Sequence, residues 1–274
     1  MIKSLDFSSL NLSHNKKILS KFGNPPDSSK FEFKSAFDLL KEELLSGCIL
    51  SYNEKLDEIL KNVIVPRKII EFTGHFDSTT PICLKLSVSV QLPKSCGGCG
   101  GEAFYISTNG NFSIEKLRDI AFEFVEEFSR DTEVFNVEYI LSHIFYTKVN
   151  NPVEFLACIF ELELFLMQKQ VRLLVIDSIS YILRQMEIPE RFNTINKIFQ
   201  LLRYLSDKYN LVVLITNFCT TRINQDEAYT VASFGDSFYH FVNSRVSFSK
   251  KANTFYGKLM KSVVSDVREV DFNL

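Results

Sequence analysis

The chain has 274 residues, 46% of them hydrophobic and 23% charged, and 31 Lys and Arg against 33 Asp and Glu leave a net charge of −2. That composition excludes wholesale disorder, allows one large domain with a sizeable core, and supplies no bulk attraction to nucleic acid, so any such contact must come from a local patch. No window holds the roughly 18 uninterrupted apolar residues of a membrane span, Met1 to Asp6 lacks the apolar stretch of a secretory signal, and the six cysteines point to reduced thiols. The expectation is a soluble protein of nucleus or cytoplasm with no membrane partner.

Residues 1–35 read as a short polar segment, with a helix such as Ser13 to Phe22 and a linker at Asn24-Pro25-Pro26-Asp27-Ser28-Ser29. Residues 36–274 read as one core domain. Phe37, Leu39, Leu40, Leu44 and Leu45 fall at helical spacing up to Gly47. A regular alternation then begins. Ile69 to Thr73 is a strand, Thr80 to Gln91 a helix with Pro81 in its first turn, and Glu102 to Ser107 a strand again. Ser113 caps a long amphipathic helix, followed by a strand at Ile144 to Tyr146. Val153 to Met167 is so apolar that a largely buried helix is expected. Val171 to Asp177 and Leu211 to Thr216 are continuous apolar runs, the pattern of strands covered on both faces, separated by a helix over Glu190 to Lys208. From Ser244 onward, short alternating runs predict two or three antiparallel edge strands. Strands separated by such helices imply a mostly parallel twisted sheet, an α/β sandwich.

Several of these runs stand in a significant order: Leu56 to Leu60 ahead of Gly74, then Gln91-Leu92-Pro93, Gly101 to Gly110, and Leu141-Ser142-His143-Ile144-Phe145-Tyr146. Leu173 to Ile179, Ile215-Thr216-Asn217, Thr220-Thr221-Arg222-Ile223 and Phe234 to His240 complete the series. Over about residues 35–274 it resembles the RecA-type P-loop ATPase core of eukaryotic strand-exchange recombinases and their paralogues, the type-C mediator paralogue most of all.

The resemblance implies a nucleotide site and says what remains of it. A phosphate loop needs glycines for backbone N–H groups to curl round phosphates, a Lys for the β/γ oxygens, and a hydroxyl for magnesium. In Gly74-His75-Phe76-Asp77-Ser78-Thr79-Thr80-Pro81, Thr79 falls where the family has Lys, Thr80 where it has Thr, and Ser78 on the second glycine. The loop is then one residue short. Asp77 brings a repulsive charge, and Lys85 would have to reach back over a turn. Asn109 stands where the family places an acid that polarises water, and Phe218 where a Gln senses the γ-phosphate. Asp177 survives, either as the carboxylate of a magnesium-bound water or as a cap on the neighbouring loop. No cofactor is then required, ATP and magnesium being the only ones the resemblance suggests, and Gly74, Ser78, Thr79, Thr80 and Asp177 form a relic nucleotide site without a catalytic residue.

Cys96-Gly97-Gly98-Cys99 has the spacing of half a zinc site, but no second pair or nearby His completes it, so no metal is expected there. His75, His143 and His240 have no ligand spacing. Arg245, Lys250, Lys251, Lys258 and Lys261 fall in a stretch without acids, with Phe248, Phe255 and Tyr256 interleaved. This fits either a phosphate-tracking surface or a solvated edge hairpin guarded by lysines. The stretch from Thr220 to Ser233 matches the family's DNA-contacting loop but sets Arg222 against Asp226 and Glu227. By resemblance the partners are other recombinase paralogues, in a heterodimer or small complex, then the main recombinase, and single-stranded or branched DNA met through the complex. The implied function is mediation of homologous recombination in double-strand-break repair, mitotic or meiotic, in the nucleus. The alternative is a divergent DNA-dependent ATPase active only when a partner subunit completes the site. Residues 1–35 are too few for the helix-hairpin-helix module of the family.

Overall fold

The structure, a computed structural model, describes residues 34–274 except 97, 129–134, 225–226 and 263–267. The sequence expectations for residues 13–22 and for the linker lie outside the described residues. Ser35 caps helix α1 (Ala36–Ser46) by accepting from the Asp38 N–H, and Gly47, at φ 71°, ends it. A short helix α2 (Glu54–Leu60) follows, capped by Asn53. Strand β1 (Ile69–Thr73) leads into α3 (Phe76–Ser89), and β2 (Glu102–Ser107) into α4 (Ile114–Phe128). Then come α5 (Val137–Ser142), β3 (Ile144–Lys148), α6 (Pro152–Leu166), β4 (Val171–Asp177) and α7 (Ile179–Leu183). Helix α8 (Ile188–Tyr209) and β5 (Val212–Asn217) precede a hairpin, β6 (Cys219–Asn224) with β7 (Glu227–Ala232). A short α9 (Gly235–Tyr239) and strands β8 (Ser244–Lys251), β9 (Thr254–Lys261) and β10 (Glu269–Phe272) complete the chain.

Eight strands form one sheet in the order β10-β9-β8-β1-β5-β4-β2-β3. The six from β8 to β3 run parallel, while β9 and β10 are antiparallel. Helices cover both faces, which is why β4 reads as an unbroken apolar run. Its Leu173 and Val175 enter the core shared with α3 and α4, and Leu174 and Ile176 enter the core shared with α6 and α8.

Three expectations are corrected. Helix α3 begins at Phe76 and not at Thr80, so Pro81 lies inside it. The N–H groups of Ser78 and Thr79 both turn back to the His75 carbonyl, which starts the helix early. The proline then leaves only the Asp77 carbonyl without its helical donor, at an exposed residue that water can reach. Helix α6 is not buried all round, since Val153, Leu164 and Met167 are 62–70% exposed. Its composition lacks a polar side, but its geometry lays only one face on the sheet. Strand β8, expected at an edge, pairs parallel with β1 inside the sheet.

Candidate functional site

Parallel pairing aligns the carboxyl ends of β1, β5 and β4, the position where open α/β sheets hold their ligands. After β1 the chain has only Gly74 and His75 before α3 starts. Gly74 has φ 156°, and a Cβ there would collide with the Phe248 carbonyl of β8 and sit 2.9 Å from Ser78 Oγ. Its glycine is therefore explained by close approach to β8. Ser78 is fully buried, donating 2.7 Å to the His75 carbonyl with the Phe248 carbonyl at 3.3 Å, and buried Thr79 donates to the His75 carbonyl at 3.3 Å. Lys85 lies over the Phe124 ring of α4, 5.7 Å from its centre.

Asp177, at the end of β4, is fully buried. Its Oδ2 accepts from Thr80 Oγ1 and from the Tyr105 hydroxyl, both at 2.7 Å, while Oδ1 accepts from Thr216 Oγ1 at 2.7 Å and Asn109 Nδ2 at 3.3 Å. All of these donors are neutral, and together they occupy the lone-pair directions of the carboxylate. Burial, with Asp177 beside it, pushes the Tyr105 phenol well above its usual value, and the Cys83 thiol likewise. The carboxylate thus accepts from side chains of α3, β2, β5 and the turn after β2, and from no backbone N–H among the described residues. Phe218 presents only backbone here, its N–H donating to Ser180 Oγ at 2.9 Å.

A second buried carboxylate, not singled out from sequence, lies on β1. Glu71 is fully buried and accepts from Asn217 Nδ2 at 2.6 Å and from Arg245 Nε at 2.6 Å. Burial pushes its carboxyl up, against the opposing pull of Arg245 and Asn217. One signal was present, a lone charge in the otherwise apolar strand Ile69-Ile70-Glu71-Phe72. Arg245 also lies 4.8 Å from the centre of the Tyr239 ring, and Lys261 donates to the Tyr239 and Val242 carbonyls at 2.8 and 2.7 Å. Burial, with Arg245 nearby, lowers the Lys261 ammonium pKa. The five cations of this stretch therefore divide. Arg245 and Lys261, both part-buried, tie β8 and β9 into the fold, while Lys250, Lys251 and Lys258 are exposed.

Arg222 stands exposed on the β6–β7 hairpin, where a loop had been expected. It lines a cleft of about 630 Å³ with His75, Asp77, Ser249 and Lys250. The remaining candidates are accounted for locally. Cys99 donates to the Cys48 carbonyl at 3.4 Å, and burial raises its thiol to about 11. His143 stacks on Tyr139, and His75 sits 2.8 Å from Asp77.

This sheet order, with a strand–turn–helix after β1 and an acid ending β4, defines a RecA-like α/β domain. The family model for Rad51 matches residues 44–263, and the chain belongs to the Rad51 family. It is 30% identical over 256 residues to a protein of Cricetulus griseus named DNA repair protein RAD51 homolog 3, covering 88% of this chain and 70% of that one. A Dictyostelium discoideum protein of the same name is 29% identical over 252 residues, covering 82% of this chain and 66% of its own length.

Proposed function

We propose that this chain is a recombinase paralogue that mediates homologous recombination in the nucleus without hydrolysing nucleotide. It joins other paralogues in a heterodimer or small complex, supports the main recombinase on single-stranded DNA, and meets DNA through that complex. Family membership and relatives named for DNA repair support the setting. The observation that carries the non-catalytic part is the closed circuit around Asp177, whose carboxylate is satisfied by Thr80, Tyr105, Thr216 and Asn109. The residues do not fit a magnesium nucleotide. The turn after β1 holds no Lys to meet the β/γ oxygens, brings the Asp77 carboxylate beside them, and presses Gly74 against the Phe248 carbonyl.

The test uses the full chain alone and co-expressed with recombinase paralogues, with single-stranded DNA and ATP. The expected result is no DNA-stimulated turnover in either state and stable capture of a paralogue that Asp177→Asn leaves intact. ATP turnover that appears in the complex and disappears with Asp177→Asn would establish the alternative, an ATPase completed by its partner.

A further inference from the structure

The opposite end of the sheet carries a separate concentration of charge. From Asp177 back to Arg172, near the start of β4, is five residues, or about 16 Å of strand. There a pocket of about 240 Å³ opens beneath α1, lined by Glu42, Arg67, Lys94, Arg172 and Asn210 among others. At about 30 Å³ per water, that is room for a small oxyanion and its immediate attachment.

The charges do not cancel. Three cations, Arg67, Lys94 and Arg172, face one carboxylate, Glu42, a net of +2 in the lining. Glu42 is itself held by Lys34 at 2.6 Å and Arg67 at 3.0 Å, and the hydrogen bonds from Lys34 and Arg67 lower its pKa. Arg172 places Nη1 on the Tyr209 and Asn210 carbonyls at the end of α8, at 3.2 and 3.4 Å. No protein acceptor meets its other terminal nitrogen among the described residues. Lys94, exposed on the turn Lys94–Cys96, has no acidic partner among the described residues. Two enclosed polar atoms are also unmatched, the donor Arg67 Nε and the acceptor Asn210 Oδ1. Both residues have left-handed backbones, Arg67 at φ 63° and Asn210 at φ 52°, and the Arg67 N–H is fixed on the Leu211 carbonyl. Helix capping accounts for one nitrogen of Arg172 and ion pairing for one of Arg67. Neither accounts for Lys94 or for the second terminal nitrogen of Arg172.

We propose that this pocket binds a single phosphate group, as a phosphate monoester or as free phosphate. Two charges on the oxyanion match the net charge of the lining, and the terminal guanidinium nitrogens and the Lys94 ammonium donate to its oxygens.

Calorimetric titration of the full chain with inorganic phosphate and with O-phospho-L-serine, at constant ionic strength, tests this. Saturable binding is expected, about tenfold weaker in Lys94→Gln through loss of one charge-assisted hydrogen bond. Arg67→Gln is expected to weaken it at least as much, and Lys116→Gln on α4 to leave it unchanged. Because the Lys94 side chain makes no protein hydrogen bond or ion pair among the described residues, that variant is expected to fold normally and decides the matter even where Arg67→Gln does not. Tighter binding of phosphoserine assigns the site to a monoester, and tighter binding of phosphate to the free ion. Absence of saturable binding by both, or binding that Lys94→Gln does not weaken, overturns the proposal.

Discussion

Two carboxylates are fully buried on strands that flank β5, and β5 serves both. Thr216 donates to Asp177, and the next residue, Asn217, points to the other face and donates to Glu71. The remaining partners differ in kind. Asp177 is held by neutral hydroxyls and an amide, whereas Glu71 depends on the guanidinium of Arg245. Burial of an acid therefore says little about chemistry, and the donor set says more. Oriented neutral dipoles distribute the stabilisation of Asp177 over several elements, so that losing one is survivable. An ion pair concentrates it in one partner, and losing that partner leaves a charge stranded in a medium that solvates it poorly.

The largest expected effect follows from that contrast. Arg245→Ala strands Glu71 and is expected to cost about 3–5 kcal/mol in urea unfolding. Adding Glu71→Gln to that variant should recover part of the loss, because a neutral amide needs no counter-charge. An Arg245→Ala protein as stable as the parent would mean that Asn217 alone supports Glu71, and the contrast would collapse. Asp177→Asn should be milder, about 2 kcal/mol, since the surrounding hydroxyls of Thr80, Tyr105 and Thr216 can rotate from donating to accepting. A larger loss than for Arg245→Ala would reverse the ranking.

The same distinction explains what could be read before the fold was known. The parallel strands were legible because burial on both faces writes an unbroken apolar run, as in Leu173-Leu174-Val175-Ile176. The start of α3 was not, because it is set by Ser78 and Thr79 folding back on the His75 carbonyl, one turn ahead of the first-turn position that Pro81 signals. Asp177 was found through the family resemblance, at the end of a buried strand. Its partners were not, since Tyr105 and Thr216 come from strands 72 and 39 residues away and carry no local pattern. The basic stretch from Arg245 to Lys261 shows the limit of counting charge, because Arg245 lies where β8 pairs with β1 and meets Glu71, while Lys250 and Lys251 lie beyond that pairing at the exposed end of the hairpin.

Tyr105→Phe isolates one neutral donor and is expected to cost about 1–1.5 kcal/mol at neutral pH. It also carries a pH signature. The folded phenol is held well above its ordinary 10.0, so the folded state keeps this proton where the unfolded chain releases it. Its contribution is complete below pH 10 and is lost as pH rises toward the folded value. Cys83, raised from 9.0, acts with the same sign. Stability curves measured at increasing alkaline pH should therefore fall less steeply for Tyr105→Phe than for the parent. Parallel curves would show that burial and Asp177 do not raise this phenol in the folded state.

The smallest expected effect is the most direct challenge to the reading of the site. Asn109 is only partly buried, and its Nδ2 makes the longest of the bonds to Asp177, at 3.3 Å, while its Oδ1 accepts the Asn111 N–H at 3.0 Å. Asn109→Asp keeps the second bond and replaces the first by a like charge, at a position where solvent allows the side chain to swing away. The expected cost is about 1 kcal/mol at neutral pH. The neighbouring carboxylate raises the pKa of the new one, so this cost should diminish as pH falls and the new acid is protonated. The substitution restores an acid beside Asp177 without restoring a Lys or a longer loop after β1. ATP turnover is therefore expected to remain absent in Asn109→Asp, alone and with a paralogue bound. Turnover gained by this one change would mean that Asp177 is available to metal after all, and that its neutral circuit opens on demand.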